Sequence, residues 1–122
     1  MSGARRTARF LCVLLAGAGA LHLVRPAPFD SIVPRSLPGP ARCYTASSGI
    51  AELGVAGLLA AAPTRRRGGV AAAALLVAVF PANLQMAADW THRPAPSRSL
   101  AYGRLPLQGV LIAQALHVAR RG

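Results

Sequence analysis

The sequence predicts an all-α integral membrane protein: a four-helix bundle, up-down-up-down, with both termini cytoplasmic. Three observations predict it. Of 122 residues, 53% are hydrophobic and three are acidic, and the mean hydropathy is positive, which lies outside the usual composition of a soluble domain. The apolar residues gather in four blocks, with helices expected over about 8–24, 44–62, 69–87 and 105–119 of a single domain, 1–122. All fourteen basic residues are arginine, and nearly all lie between the blocks.

Crossing ~30 Å of hydrocarbon takes about 20 helical residues. The first and last blocks are shorter, so their crossing relies on snorkelling arginines or a locally thinned bilayer. A net charge of +11 raises the question of nucleic acid. Arginines that flank apolar blocks serve membrane anchoring instead, and no nucleic-acid partner is expected. Eight arginines fall in residues 1–9, 63–68 and 119–122, and six in 25–42 and 87–104. The positive-inside rule therefore places both termini and Arg65-Arg66-Arg67 in the cytoplasm. Arginine without any lysine points to a GC-rich bacterial genome, so the expected location is the bacterial cell membrane, multi-pass, with the lipid bilayer as first partner.

Residues 1–9 form a basic lead to FLCVLLAGAGALHLV. A signal peptide has the same outline, with Ala16, Ala18 and Ala20 as cleavage positions. Three further apolar blocks favour a first membrane helix, in which Ala16, Gly17 and Ala20 allow close approach to a neighbour. RPAPFDSIVPRSLPGPAR, 25–42, holds five prolines and should form no regular helix. Its Phe29, Ile32, Val33 and Leu37 predict a segment folded back over the mouth of the bundle.

On the second helix Ser48, Glu52, Ala56 and Ala60 share one face, with Gly49, Gly54 and Gly57 thinning it for contact. Pro63 ends it, the three arginines turn the chain, and Gly68-Gly69 opens an antiparallel third helix. Pro81 should free the Val77 carbonyl and kink that helix. Tyr44 and Trp90 suit interfacial anchors. Residues 87–104 read as a second outer loop, Pro106 as the first turn of the fourth helix, and Gln114, His117 and Arg121 as its inner face. Cys12 and Cys43 fall toward opposite ends of the bundle, too far apart for a disulfide.

Depth counting brings the polar side chains together. With alternating helix directions, His22, Ser48, Glu52, Asn83 and Gln108 each lie within about 15 Å of the outer surface at ~1.5 Å per residue. One shared cavity follows, with Arg104 at its rim, and these six are the candidate ligand-binding residues. Interhelical hydrogen bonding alone would account for Ser48, Asn83 and Gln108. Glu52 shifts the balance, because a carboxyl in hydrocarbon costs several kcal/mol unless protonated or paired, and His22 is the available partner. No metal-ligand spacing, phosphate loop or Ser/His/Asp set is present, so no metal is expected and no catalytic residue can be named.

The SG-x-x-E of Ser48–Glu52, the PAN-x-x-MA of Pro81–Ala87 and the R-x-PLQ of Arg104–Gln108, in that order and spacing, resemble the DoxX-like family of small four-helix membrane proteins over about residues 17–118. Ser48, Glu52, Pro81, Asn83, Met86, Arg104, Pro106 and Gln108 match its recurrent positions. The family takes its name from a subunit of a thiosulfate:quinone oxidoreductase. The resemblance therefore implies a non-catalytic or accessory subunit of quinone-linked membrane redox chemistry, with a quinone as cofactor or ligand and oxidoreductase subunits as partners. A paired-cysteine motif is missing. Whether the chain is an enzyme stays open, as does homo-oligomerisation. Two alternatives remain: a small proton-coupled transporter built on Glu52, and a purely structural membrane protein.

Overall fold

The computed structural model describes residues 2–122, apart from the Ser97 side chain. Among these residues all regular structure is helical: α1 (Gly3–Val24), the single turn α2 (Ala27–Asp30), α3 (Ala41–Ala60), a 3-10 turn (Ala62–Thr64), α4 (Arg65–Ala78), α5 (Phe80–Asp89) and α6 (Ala95–Arg121). Two stretches, Gly3–Val24 and Ala62–Asp89, are long and apolar enough to cross a membrane.

Local chemistry sets most of the ends. Ser2 caps α1 by accepting from the Arg5 amide at 3.1 Å, satisfying one of the free N–H groups of the first turn. Pro26 stops α1, since the residue before a proline is pushed out of the α region, and Arg25 sits at φ −133°, ψ 71°. Pro40 opens α3 in extended conformation. Pro81 has no N–H to give the Val77 carbonyl, so the long apolar stretch divides at Val79 into α4 and α5.

Four sequence expectations are corrected. The proline-rich segment contains one helical turn, α2, because Pro26 pre-sets φ for a helix start. Arg65, Arg66 and Arg67 are not a loop but the first turn of α4, following the 3-10 turn that holds Pro63. The fourth helix starts at Ala95, ten residues early, and carries Pro106 in its interior. The missing bond falls on the Tyr102 carbonyl, whose own side chain is exposed. The inner face of α6 is Ala101, Gln108, Leu111, Ala115 and Val118, while His117 and Arg121 are exposed.

The long helices pack in opposed pairs. Between α1 and α3, Cys12 Sγ reaches the Ala56 carbonyl at 3.3 Å, and Gly19 lies against Gly49. Between α4 and α6, Gly69 lies on Ala115 and Ala119, while further along Asn83 of α5 meets Gln108. Gly68 presses on Leu58 and Leu59, joining α4 to α3. The contact glycines are thus Gly19, Gly49, Gly68 and Gly69; Gly17, Gly54 and Gly57 face open space, and Ala20 is exposed. At Gly69 an added Cβ would stand 2.5 Å from the Ala119 nitrogen, so only glycine permits this approach.

The core has two parts. The larger, with Leu11, Leu15, Val55, Leu59, Ala72, Leu76, Leu111 and Val118, lies toward the arginine-rich end. The smaller gathers Ile32, Met86 and Ala101, with Trp90 against them, so the 25–40 segment does fold back over the helices.

Candidate functional site

Between the two core clusters lies a cavity of about 650 Å³, lined mostly by apolar side chains from α1, α3, α4, α5, α6 and the 25–40 segment. His22, Ser48, Glu52, Asn83, Arg104 and Gln108 all line it. Six residues scattered over 87 positions of chain therefore meet in one place, and the helix pairing explains why.

On one wall, α1 and α3 place His22 Nε2 3.6 Å from Glu52 Oε1. Ser48, one turn before Glu52, donates its hydroxyl to the same oxygen at 3.0 Å. His22 Nδ1 lies 2.5 Å from the Ala18 carbonyl, which can only accept, so Nδ1 carries a proton. Nε2 then meets the Glu52 carboxyl with a lone pair unless one more proton lies on either group. Phe29 stacks on the imidazole with ring centroids 3.9 Å apart, so the folded-back segment holds the ring in place.

On the other wall, Asn83 Nδ2 donates to Gln108 Oε1 at 2.7 Å, and Gln108 Nε2 donates to the Leu76 carbonyl at the end of α4. Asn83 and Gln108 are 4% and 5% exposed, so this chain of bonds replaces water for both amides. It also ties α6 to the chain on both sides of the Pro81 break. Arg104, half-buried one turn before Gln108, lies with Nη1 2.8 Å from Met86 Sδ.

Residues 11–119 match the family described as Domain of unknown function (DUF8561). The chain belongs to this family. No curated protein and no solved structure matches it. For this DUF8561 member the site therefore has to be read from its own geometry.

Three participants were not singled out from the sequence as site residues. Thr45, 3% exposed, lines the cavity three residues before Ser48 and seven before Glu52, a spacing that places it on the same helical face. Phe29 was expected over the mouth but not as a ring stacked on His22. Met86 contacts Arg104 besides packing in the smaller cluster, and its spacing from Asn83 was the available signal. Above the cavity, Arg42 Nε donates to Asp30 Oδ2 at 2.8 Å and Arg35 Nη2 to Asp89 Oδ1 at 3.1 Å. The Tyr44 hydroxyl bonds the Pro38 carbonyl, and Arg93 lies 4.1 Å above the Trp90 ring, so both aromatic residues anchor the cap. The Thr45 hydroxyl approaches the Asp30 carboxyl without reaching hydrogen-bond geometry.

Proposed function

We propose that the protein crosses the bacterial cell membrane as an up-down-up-down four-helix bundle, both termini cytoplasmic, and binds an amphiphile in its outward-facing cavity as an accessory subunit of quinone-linked redox chemistry. One observation carries the membrane-embedded site. In residues 10–24, 43–64, 68–88 and 105–119 the sole formally charged residue is Glu52. It is buried against the cavity, while Val13, Ile50, Val70 and Val110 stand exposed on the four long helical stretches. Polar groups inward and apolar groups outward is the arrangement a lipid solvent requires.

Orientation is supported by arginine placement. Arg66 reaches the Arg120 carbonyl, so the N-terminus of α4 and the C-terminus of α6 lie at one end, in the arginine-rich segments. A cavity of this volume falls within the ~300–1,000 Å³ range of small-molecule sites. Its apolar lining with a few convergent polar groups suits a ring or chain bearing one polar head. The DoxX-like resemblance of Ser48–Glu52, Pro81–Ala87 and Arg104–Gln108 favours a quinone among such molecules. A proton-coupled transporter is the second reading, favoured by two ionisable side chains, His22 and Glu52, 3.6 Å apart beside the cavity.

The test uses the exposed Cys43 and the bound lipid. In the Cys12→Ala variant, a membrane-impermeant maleimide added to intact cells is expected to label Cys43; labelling only after permeabilisation would reverse the orientation. Mass spectrometry of protein purified with native lipid should find an amphiphile that disappears in Ala18→Trp, a variant that fills the cavity. Retention of that amphiphile by the filled variant would remove the site.

A further inference from the structure

The acids of the open end are engaged by groups other than Arg104. Asp30 and Asp89 are taken by Arg42 and Arg35 at 2.8 and 3.1 Å. Glu52 is engaged by His22 at 3.6 Å and by the Ser48 hydroxyl at 3.0 Å. Arg104 is the one arginine lining the cavity, and among the described residues no carboxylate lies within ion-pair distance of it. Among the described residues its one polar contact is the Met86 thioether, a weak and uncharged acceptor.

A guanidinium has five N–H donors in a planar fork and stays charged at any physiological pH. Half-buried beside apolar walls, it has lost hydration that the thioether does not replace. The nearest amides are committed elsewhere, since Asn83 donates to Gln108 and Gln108 to the Leu76 carbonyl. The free donors of Arg104 face the cavity in a geometry that matches a carboxylate or phosphate.

The rest of the cavity says what the anion is attached to. From Arg104 the lining continues along Leu107 and Leu111 on α6, Leu75 on α4 and Leu14 on α1. About 650 Å³ of mostly apolar space far exceeds what a free small anion occupies. We infer that the cavity holds an anionic amphiphile, its carboxylate or phosphate-ester head on the Arg104 guanidinium and its apolar chain against Leu14, Leu75, Leu107 and Leu111. This rests on the ligand-binding reading above and names the head group, which a neutral quinone lacks.

Binding to the full chain in a neutral maltoside detergent tests it, with palmitate, hexadecanol, decylubiquinone and inorganic phosphate as probes. Palmitate is expected to bind at least about tenfold more tightly than hexadecanol, the alcohol of the same chain length. Arg104→Gln should bring palmitate down to the level of the alcohol. Arg104→Lys, which keeps a point charge but loses the fork, should retain part of the preference and guards against a folding defect in Arg104→Gln.

Equal binding of acid and alcohol by the wild type, or an undiminished preference in Arg104→Gln, overturns the anionic head. If hexadecanol and decylubiquinone then still bind, and Ala18→Trp abolishes their binding, the ligand-binding reading stands without it. If no probe binds, or Ala18→Trp changes nothing, both fall. Phosphate displacing palmitate at comparable concentration would overturn the amphiphile in favour of a free anion.

Discussion

The same helices are packed in two different ways at the two ends of the molecule. At the arginine end, side chains have been removed to let backbones touch: an added Cβ on Gly69 would stand 2.7 Å from the Ala115 carbonyl, and one on Gly68 would stand 2.8 Å from the Leu59 nitrogen. At the other end Pro81 breaks one helix, polar side chains hold the walls apart, and a cavity of about 650 Å³ remains. Close backbone approach is how helices associate where lipid is as apolar as leucine. The α1–α3 pair stays tight up to the cavity, Gly19 against Gly49, so the space lies beside the Pro81 break, and a change at Gly69 should leave that space intact.

The largest effect belongs to Gly69. Gly69→Leu must separate α4 from α6, and no monodisperse protein is expected from detergent extraction. Gly69→Ala meets backbone rather than a flexible side chain and should cost about 1–3 kcal/mol, read as a lower melting temperature. Gly17→Ala and Gly57→Ala enter open space and should leave stability unchanged or raise it by up to about 1 kcal/mol through helix propensity. A Gly69→Leu protein that extracts and melts like the wild type would end the claim that this contact holds the helices together.

These glycines also mark what the sequence could and could not disclose. Small residues at helical spacing announced close packing, but which of Gly17 and Gly19, or of Gly49, Gly54 and Gly57, makes it depends on rotation about the helix axis. Only the partner fixes that rotation. The meeting of His22, Glu52, Asn83 and Gln108 was legible because it needs only helix direction and depth, which block lengths supply. The start of α6 was not legible. Pro106 resembles a first-turn proline, and the stretch before it has no apolar stripe, yet Ala101 is wholly buried beside Ile32 and Met86. A contact with the folded-back segment thus extends the helix upstream of its proline. Rotation misled in the same way at His117 and Arg121, which share a face with Gln114 but turn outward.

An intermediate effect is expected where the open end is bridged. Asn83→Leu or Gln108→Leu cuts the link from α5 through α6 to Leu76 and leaves the remaining amide without its partner. Interhelical hydrogen bonds in membranes are worth about 0.6 kcal/mol on average and up to about 1.7. Each single variant should fall in that range, and the double variant should cost less than the two together, because it leaves neither amide orphaned. Additive losses in a double-mutant cycle would mean the two amides act independently of one another.

The smallest effect lies in the cap, and its sign follows from Asp30. The Thr45 hydroxyl first, and the Arg42 guanidinium second, hold this carboxyl below its usual range. Folding then favours the ionised form, so its contribution is complete above the unfolded value of about 3.9 and fades as pH falls through the lower folded value. Wild type and Asp30→Asn should therefore differ slightly in melting temperature near neutral pH, with the wild type higher, and converge in acid. Added salt should narrow the difference at neutral pH, since the Arg42 guanidinium is exposed. A gap that persisted through the acid range would show that Asp30 holds α2 on α3 by packing alone. In either case Gly69→Ala should lose the same stability in both backgrounds, because the cap lies at the opposite end from the contact that joins α4 to α6.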